Sequence, residues 1–296
     1  MTIAGVTLSH PERVLYPEQG LTKADLARYY EAIAPWMLPH VAGRPLSLVR
    51  CPAGRQRSCF YQKHWTGALP DGVDTVEIRE EKGGVAPYTM IHAASGLVGL
   101  VQHGVLEFHL WGARADRVES PDRMVFDVDP APGVPWARVR EAARLLHQVS
   151  GTLGLSSWLK TTGGKGLHVV IPIERRSGWD EVAAFARALA YRIAREHPDR
   201  YLAVASKAAR KGKIFIDWLR NTRGATAIAP WSTRAREGAP VSVPLEWDEL
   251  DRLKAADQYD VRSALALARQ RRTDPWAGLP AARQRLTGAL TAALED

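Results

Sequence analysis

Apolar residues recur at helical spacing in two stretches of the chain. The first stretch follows Pro135, a residue that suits the first turn of a helix. Its apolar members are Val139, Ala142, Ala143, Leu146 and Val149. Those of the second stretch are Val182, Phe185, Ala186, Leu189 and Ile193. Intervals of three and four residues predict two amphipathic helices that pack on a core, and do not indicate cofactor sites.

Short apolar runs elsewhere predict β-strands and a further helix. Strands are expected near residues 46–51, 58–62 and 86–92, and a helix near residues 23–39. From residue 123 to residue 230, strand signals alternate with helical ones. This alternation, taken alone, favours a parallel, doubly wound sheet.

Three aspartates on two short apolar runs are candidate metal ligands. Asp127 and Asp129 stand in MVFDVDP, and Asp217 stands in KIFIDW. Side chains two apart on a strand share a face at a spacing of about 6.6 Å. Carboxylates suit hard ions, and two such ions about 3.5–4 Å apart assist phosphoryl transfer. The alternative is that Asp129-Pro130 ends a strand in a solvated turn.

A glycine-rich segment, KTTGGKGLHVVIPI, is a candidate phosphate site. Two short strands, 159–162 and 167–171, flank the loop 163–166. Glycines let backbone N–H groups approach an anion, and Lys165 adds a positive charge. His168 is expected beside the loop, on the polar face of its strand. The segment lacks the Walker pattern, which argues against a P-loop NTPase, and a plain glycine hairpin remains the alternative.

A run of cations precedes the strand that carries Asp217. Its members are Lys207, Arg210, Lys211 and Lys213. Such a run is typical of a solvated surface with ion pairs. If Asp217 binds a metal ion, the neighbouring basic run would instead attract an anionic substrate.

Charge and composition favour a polyanionic partner. Lys and Arg outnumber Asp and Glu by 40 to 32, which gives a net charge of +8 and a pI near 9.6. Cys51 and Cys59 lack the spacing of a structural zinc site and would not staple so long a chain, so we expect a reducing cytoplasm. We see no signal peptide and no apolar run near the ~20 residues that span a bilayer, so no membrane partner is expected.

Several motifs, taken in order, resemble one known family. They are FDVDP, KTTGGKGLH, GKIFIDWLRN and AIAPWSTRAR, with HPERVLYPEQGLTKADLARYY, GRPLSLVRCPAG, CFYQKHW, GLVQHGVLEFHLWGAR and PLEWDEL. Together they cover about residues 5–260. The chain resembles the polymerase domain of bacterial ATP-dependent DNA ligase D, a member of the archaeo-eukaryotic primase superfamily.

The resemblance implies an α+β fold in place of the parallel sheet. We expect mixed, largely antiparallel sheets flanked by helices, with a primase-like catalytic core and the active cleft between two sheets. The whole chain, 1–296, is expected to be a single primase-polymerase domain. Its parts would be an N-terminal lobe (5–115), a catalytic lobe (116–245) and a helical, basic C-terminal tail (246–296).

The resemblance also implies roles for individual residues. The metal-binding and catalytic acids, which would hold two Mn²⁺ or Mg²⁺ ions, are Asp127, Asp129 and Asp217. The element that holds the phosphates of the incoming nucleotide falls on Thr162, Gly163, Lys165 and His168, and the family has Ser where Thr162 stands. Further contacts to the nucleotide are implied for His109, Arg234 and Arg236. Base stacking is implied for Phe60 and Tyr61, where the family often has Phe-Phe.

Recognition of a DNA 5′-phosphate is implied for two residues near the N-terminus, Arg13 and Lys23. Many relatives have Lys in place of Arg13, and both residue types bind phosphate. Lys23 has a structural alternative, because Thr22 and Asp25 form a helix N-terminal box with Lys23 as the first helical residue.

The implied function is template-directed nucleotidyl transfer by two-metal catalysis. Family members add NTPs, or dNTPs, to primer 3′ ends at gaps and double-strand break ends during non-homologous end joining, with Ku and an ATP-dependent DNA ligase as partners. A cytoplasmic, nucleoid-associated location follows. The alternatives are a two-metal nuclease or phosphatase and a noncatalytic DNA-end binding module. We find no K-x-D-G ligase motif, so the chain is either a stand-alone polymerase or an excised domain.

Overall fold

The computed structural model describes residues 1–206 and 208–295, so Lys207 of the basic run lies outside the described residues. Its strands are β1 (Thr2–Ile3), β2 (Val6–Thr7), β3 (Val14–Tyr16), β4 (Leu21–Thr22), β5 (Leu46–Arg50), β6 (Phe60–Gln62), β7 (Val73–Arg79), β8 (Val85–Ile91), β9 (Val105–Trp111), β10 (Arg123–Pro130), β11 (Trp158–Thr161), β12 (Leu167–Pro172), β13 (Tyr201–Leu202), β14 (Ile214–Asp217), β15 (Thr226–Ile228) and β16 (Pro244–Leu245). Its α-helices are α1 (Lys23–Val41), α2 (Ala94–Gln102), α3 (Trp136–Thr152), α4 (Trp179–Glu196), α5 (Val261–Gln270) and α6 (Gly288–Glu295).

The chain divides into two compact units, neither of them contiguous in sequence. Unit 1 comprises residues 1–111, 228–243 and 259–272. Unit 2 comprises residues 112–227, 244–258 and 273–296. The lobe boundaries expected from the sequence stay a prediction about the domain organisation.

Unit 1 contains a sheet together with the helices α1, α2 and α5. Its main sheet has the order β15-β9-β5-β8-β7, and β6 pairs with β5. Helix α1 begins with the predicted N-terminal box, in which Asp25 N–H donates to Thr22 Oγ1 and Thr22 N–H donates to an Asp25 carboxylate oxygen. Tyr30 of α1 packs edge-to-face on Phe108 of β9 at a ring distance of 5.1 Å.

Unit 2 contains a sheet of order β13-β14-β10-β12-β11-β16. Strand β13 runs parallel to β14, and the pairings of β10 with β12 and β14 are antiparallel. Strands β11 and β12 form a hairpin, because the loop between them is too short for the crossover that parallel strands need. The α+β fold with largely antiparallel sheets is therefore confirmed, and the strand-helix alternation does not produce a parallel sheet.

The helices α3 and α4 confirm the two apolar stripes of the sequence. All predicted apolar positions of α4 are buried. In α3 the stripe is buried as far as Leu146, whereas Val149 is half-buried and Ser150 takes the inward position. Ser150 satisfies its hydroxyl by donating to Leu146 O at 2.7 Å.

Cys51 and Cys59 form a disulfide that the sequence analysis did not predict. Strands β5 and β6 form an antiparallel hairpin in which Arg50 pairs with Phe60. This register sets the residue after Arg50 beside the residue before Phe60, with Cα atoms 4.3 Å apart. The bridge closes a local hairpin and does not staple the chain, so cysteine spacing alone did not predict it.

Among the residues that the structure describes, we find no helix with the length and apolar character needed to cross a membrane.

Candidate active site

The three candidate metal-binding carboxylates lie on two neighbouring strands of unit 2. Asp127 and Asp129 are two residues apart on β10, so their side chains leave the same face of the strand. Strand β14 pairs with β10 in a register that sets Asp217 opposite Asp127. Residues opposite each other in an antiparallel pair share a face of the sheet. The register therefore brings together all three carboxylates that the sequence singles out.

A row of polar side chains crosses the sheet at the level of Asp127. Strand β12 sets His168 opposite Asp127, and β11 sets Lys160 opposite His168. With Asp217, the row runs over the neighbouring strands β11, β12, β10 and β14. His168 Nε2 lies 3.5 Å from Asp127 Oδ2, and both His168 and Lys160 are buried. The row places the basic residues Lys160 and His168 on one side and the carboxylates of Asp127 and Asp217 on the other, so that opposite groups meet at Asp127.

Arginines are the present partners of the three carboxylates. Arg220 Nη2 lies 3.4 Å from Asp127 Oδ2, and Arg220 Nε lies 3.4 Å from Asp217 Oδ2. Arg210 Nη1 donates to Asp129 Oδ2 at 2.7 Å. Within residues 1–206 and 208–295, no group of three or more His, Cys, Asp or Glu side chains is arranged to hold a metal ion. Guanidinium charge balances the carboxylates in this structure.

The three carboxyl groups differ in pKa. Burial raises the pKa of Asp127, but neighbouring groups, His168 first among them, outweigh burial and bring the pKa to about 2. Burial and the charge of Asp127 raise the pKa of Asp129. Burial also raises the pKa of Asp217, where Arg220 opposes the rise and Asp127 adds to it. The carboxylates are therefore close enough to disfavour each other's ionisation.

The chemistry of this donor set fits a hard divalent cation. Carboxylate oxygens are the ligands that Mg²⁺ and Mn²⁺ prefer. Burial and mutual repulsion raise the pKa of Asp129 and Asp217, and a doubly charged cation would offset both effects. Arg210 and Arg220 supply a smaller compensation at the same oxygens.

His168 is a neutral, fully buried group beside Asp127. Burial lowers the pKa of His168 to about 4, and the positive charge of Lys160 contributes to the decrease. The imidazole is therefore uncharged at neutral pH. Its Nδ1 has no hydrogen-bond partner among the described residues, although the side chain is buried. Buried polar atoms without a partner are rare, and a bound ligand is one explanation for them.

The glycine-rich loop between β11 and β12 is held by its own hydrogen bonds. Thr162 Oγ1 donates to Gly166 O at 2.8 Å and accepts from Gly164 N–H at 3.2 Å. Gly163 N–H donates to Ala256 O at 3.1 Å, in another segment of unit 2. Gly163 has a φ of +63°, a left-handed conformation that glycine adopts without strain. The Thr162 hydroxyl and the Gly163 amide therefore shape the loop.

Gly166 and Lys165 bring this loop to the carboxylate strand. A Cβ atom on Gly166 would lie 2.0 Å from Val128 O and 3.5 Å from Asp127 Oδ1. Only glycine permits this approach of the loop to β10. Burial raises the pKa of Asp129, and the charge of the exposed Lys165 is among the effects that oppose it. The loop therefore places a cation beside the acids.

In unit 1, His109 and Arg234 meet at a buried glutamate. Glu107 Oε2 lies 2.7 Å from His109 Nε2 and 3.1 Å from Arg234 Nε. Glu107 and His109 are two residues apart on β9 and share a face of that strand. Arg236, the second predicted arginine, is exposed. Of the five unit 1 residues with implied contacts to nucleotide, His109 and Arg234 therefore lie together at Glu107.

Phe60 and Tyr61 lie on strand β6, beside the disulfide. Both rings are exposed, Tyr61 at 69% of its surface. The Arg50 guanidinium lies over the Phe60 ring, 5.5 Å from its centroid. The Tyr61 ring lies 5.8 Å from the ring of His109. Large exposed aromatic rings on a braced hairpin are suited to stack on bases.

The two N-terminal cations, Arg13 and Lys23, are close to each other. Lys23 begins α1 and is only 3% exposed, and its Nζ donates to Ser9 O at 2.8 Å and to Gln102 O at 3.3 Å. Arg13 is exposed and donates to Pro52 O at 3.0 Å. Burial lowers the pKa of Lys23, and the positive charge of Arg13 lowers it further. Lys23 therefore has a structural role. An anion bound beside Arg13 and Lys23 would stabilise the charged forms of both side chains.

Comparison with known proteins decides the family. Residues 22–276 match the family described as LigD, primase-polymerase domain. The chain belongs to this family. The multifunctional non-homologous end joining protein LigD of Pseudomonas aeruginosa is 44% identical over 288 residues, which are 97% of this chain and 34% of that protein. The LigD protein of Mycolicibacterium smegmatis is 34% identical over 247 residues, covering 83% of this chain and 32% of that protein.

A solved structure supports the same assignment. The polymerase domain from Mycobacterium tuberculosis ligase D, in complex with DNA, matches with a TM-score of 0.86 at 32% identity. The match covers 94% of this chain and 99% of that one. The chain spans about a third of the length of the curated LigD relatives it matches. The chain therefore has the fold of a LigD polymerase domain, and the resemblance inferred from the sequence is confirmed.

Three residues that contact the predicted functional residues of their own unit were not singled out from the sequence. They are Lys160, which faces His168, Arg220, which reaches two of the carboxylates, and Glu107, which joins His109 to Arg234. Arg220 follows Asp217 by three residues, a spacing that brings side chains together in the turn after β14. Glu107 precedes His109 by two residues on one strand face. For Lys160, only the pairing of β11 with β12, which sets it opposite His168, indicates a place in the site, and this pairing was not known from the sequence.

Proposed function

We propose that this domain extends primer 3′ ends with nucleotides in a template-directed, metal-dependent reaction. The observation that carries the proposal is the register of β10 and β14, which sets Asp127, Asp129 and Asp217 on one face of a sheet. The glycine-rich loop with its exposed Lys165 lies against the same strand. Acids for divalent ions and a cation for phosphate, placed side by side, are the parts that nucleotidyl transfer requires.

The carboxylates would hold two divalent ions, Mn²⁺ or Mg²⁺. Two such ions supply the charge that makes a primer hydroxyl nucleophilic and steadies a departing pyrophosphate. The ionised Asp127, with its pKa of about 2, keeps a full negative charge at neutral pH for this purpose. Arg210 and Arg220, which pair with the same carboxylates, orient them before ions bind.

The phosphates of an incoming NTP or dNTP would be held by Lys165 and His168. Lys165 is exposed on the loop and contributes a compact positive charge. His168 Nδ1 is buried and lacks a partner among the described residues. In the tautomer protonated at Nδ1 it would donate to a phosphate oxygen, and in the tautomer protonated at Nε2 it would accept from a water molecule or hydroxyl group beside the phosphates. Thr162 and Gly163 act by fixing the loop conformation.

For unit 1 by itself, we propose stacking on bases and polar contacts to nucleotide. Phe60 and Tyr61 expose stacking surfaces, and a stacked base is stabilised by about 1–3 kcal/mol. His109, Arg234 and Arg236 provide polar contacts. Template pairing selects the base, so we expect the protein to contact DNA mainly through phosphates.

The biological substrates follow from the LigD proteins to which the chain is similar. Those proteins are named for non-homologous end joining, and the solved relative is in complex with DNA. We propose that this domain acts at gapped DNA or double-strand break ends, with Ku and an ATP-dependent DNA ligase as partners. The net charge of +8 agrees with a DNA partner.

A primer-extension assay tests the proposed function. Labelled primer-template is incubated with Mn²⁺ and NTPs, and the length of the labelled strand is measured. Extension that depends on the template supports the proposal. Shortening would indicate a nuclease, and binding without any change in length would indicate a noncatalytic DNA-end binder.

The hydroxyl of Thr162 can be tested by a matched pair of substitutions. Thr162→Ser keeps both hydrogen bonds of the loop, so extension should stay within about twofold of the wild type. Thr162→Val keeps the shape and removes the hydroxyl, leaving Gly164 N–H and Gly166 O without it. Each lost bond costs about 1 kcal/mol, and we expect the KM for NTP to rise about tenfold. Equal KM values for the two variants would contradict the role given to the hydroxyl.

Arg13 should bind a 5′-phosphate on the downstream strand of a gap. The ratio of Kd values for gapped DNA with and without this phosphate measures the effect. Arg13→Ala should remove most of the preference and reduce the salt dependence of binding by about one phosphate contact, whereas Arg13→Lys should retain it. Arg28→Ala, which removes an exposed arginine of α1 paired with Asp25, is the control and should leave the ratio unchanged.

A further inference from the structure

Glu107 is a buried acid with partners on two separate segments of unit 1. It lies on β9, where it pairs with Val49 of β5, and is 5% exposed. Its Oε2 lies 2.7 Å from His109 Nε2 and 3.1 Å from Arg234 Nε. Its Oε1 accepts from Ala235 N–H at 2.8 Å. Both carboxylate oxygens are therefore engaged by groups around the predicted nucleotide contacts.

The charge of Glu107 decides which nitrogen of His109 carries a proton. Burial raises the pKa of Glu107, but the hydrogen bond with His109 and the charge of Arg234 outweigh burial and bring it to about 2. The carboxylate has no proton to donate at neutral pH. At 2.7 Å, His109 Nε2 must therefore be the donor. In the neutral imidazole the second ring nitrogen, Nδ1, then carries no proton and can accept a hydrogen bond.

The surroundings hold this arrangement in place. Tyr16 Oη donates to Arg234 O at 3.0 Å, and Thr233 Oγ1 donates to Leu106 O, next to Glu107 on β9. These hydrogen bonds, together with that of Ala235 N–H, link the segment that carries Arg234 to β9 and to Tyr16. The Tyr61 ring lies 5.8 Å from the His109 ring. Glu107 accordingly contacts two side chains with predicted contacts to nucleotide, and a third, Tyr61, lies beside His109.

We propose that Glu107 is a positioning residue for the nucleotide, which acts by holding His109 through Nε2 and Arg234 through Nε. His109 then presents Nδ1 to the substrate in one fixed tautomer and ring orientation. A carboxylate that orients an imidazole in this way has a large effect on activity without touching substrate, because the wrong tautomer presents the wrong atom. The proposal rests on the proposed nucleotidyl transfer and deepens it.

The variant Glu107→Gln separates charge from shape. Glutamine can still accept from Ala235 N–H, but its amide side no longer requires a proton on His109 Nε2. We expect kcat/KM for NTP to fall about 10- to 100-fold, mainly through a higher KM, while the Kd for gapped DNA without nucleotide stays within about twofold. Glu80→Gln is the matched control, because Glu80 lies in the same unit, 3.4 Å from His64 Nε2 and hydrogen-bonded to Tyr88. Its kcat/KM should stay within about twofold.

A double-mutant cycle distinguishes positioning from a general loss of structure. If Glu107 acts through His109, Glu107→Gln should cost much less in a His109→Ala background than in the wild type. Equal, additive losses in the two backgrounds would overturn the proposal.

Nitrogen NMR of the imidazoles provides a test that needs no active variant. The resonances of His109 are assigned by their loss in His109→Ala. In the wild-type protein, the proposal requires a protonated Nε2 and a Nδ1 that carries no proton at high pH. A neutral His109 protonated at Nδ1 in the wild type would overturn it, even if Glu107→Gln failed to fold.

The two hypotheses can fail separately. A wild-type protein that extends no primer would refute the proposed function. A wild-type protein that extends primers, with Glu107→Gln equal to it in KM, would refute the positioning role alone.

Discussion

Replacing Asp127 with asparagine should reduce primer extension by on the order of 10³-fold or more. Asp127 is the centre of the polar row, opposite Asp217 on one strand and His168 on the other. The Asn side chain has the same shape but lacks the charge that would hold a divalent ion. Loss of several kcal/mol of transition-state stabilisation corresponds to this decrease in rate. Single-turnover extension with Mn²⁺ and NTPs measures it.

The matched control is Asp116→Asn, which removes a carboxylate of unit 2 that pairs with Arg175. Extension by this variant should stay within about twofold of the wild type. Gapped-DNA binding by Asp127→Asn should also stay nearly intact, because the carboxylate repels phosphate and is not expected to contact it. Undiminished extension by Asp127→Asn would refute the assignment of the catalytic acids.

Gly166→Ala should damage both the loop and the carboxylate strand. The added Cβ would lie 2.0 Å from Val128 O, between the two acids of β10, so the backbone must move by roughly 1 Å or more. We expect a loss of about 1–3 kcal/mol in the free energy of unfolding. A displacement of this size at a reacting site costs about 10²-fold in rate, so extension should fall by that factor. Thermal unfolding and extension are measured on the same preparation.

Gly151→Ala is the control for the glycine substitution. Gly151 lies in α3 of the same unit, and a Cβ there would meet nothing within 4 Å. Alanine stabilises a helix interior by roughly 0.5–1 kcal/mol relative to glycine, and Gly151, in the last turn of α3, should give a smaller gain of the same sign. We therefore expect Gly151→Ala to keep full activity and to raise the unfolding temperature slightly. Wild-type activity and stability in Gly166→Ala would contradict the close approach of the loop.

Local sequence signals predicted much of the fold of each unit. The box formed by Thr22 and Asp25 marks the start of α1, and the alternation around Asp127 places that acid on the polar face of β10. The apolar stripe of α4 is buried throughout. These features depend on residues a few positions apart, so the chain itself specifies them.

Strand pairing could not be predicted from the residues alone. The row from Lys160 to Asp217 depends on a register that joins segments distant in sequence, and a shift of one residue would turn every acid to the other face. The strand-helix alternation suggested a parallel sheet, and only the family resemblance predicted the antiparallel one. The Cys51–Cys59 bridge was missed because it depends on the β5–β6 register.

Binding of Mn²⁺ at the three carboxylates tests the central claim most directly. Crystals soaked with Mn²⁺ and a nucleoside triphosphate are measured at the manganese absorption edge, and anomalous peaks locate the ions. We predict peaks about 2–2.5 Å from the carboxylate oxygens of Asp127, Asp129 and Asp217. Manganese bound only elsewhere, in crystals of protein that extends primers in solution, would contradict the account.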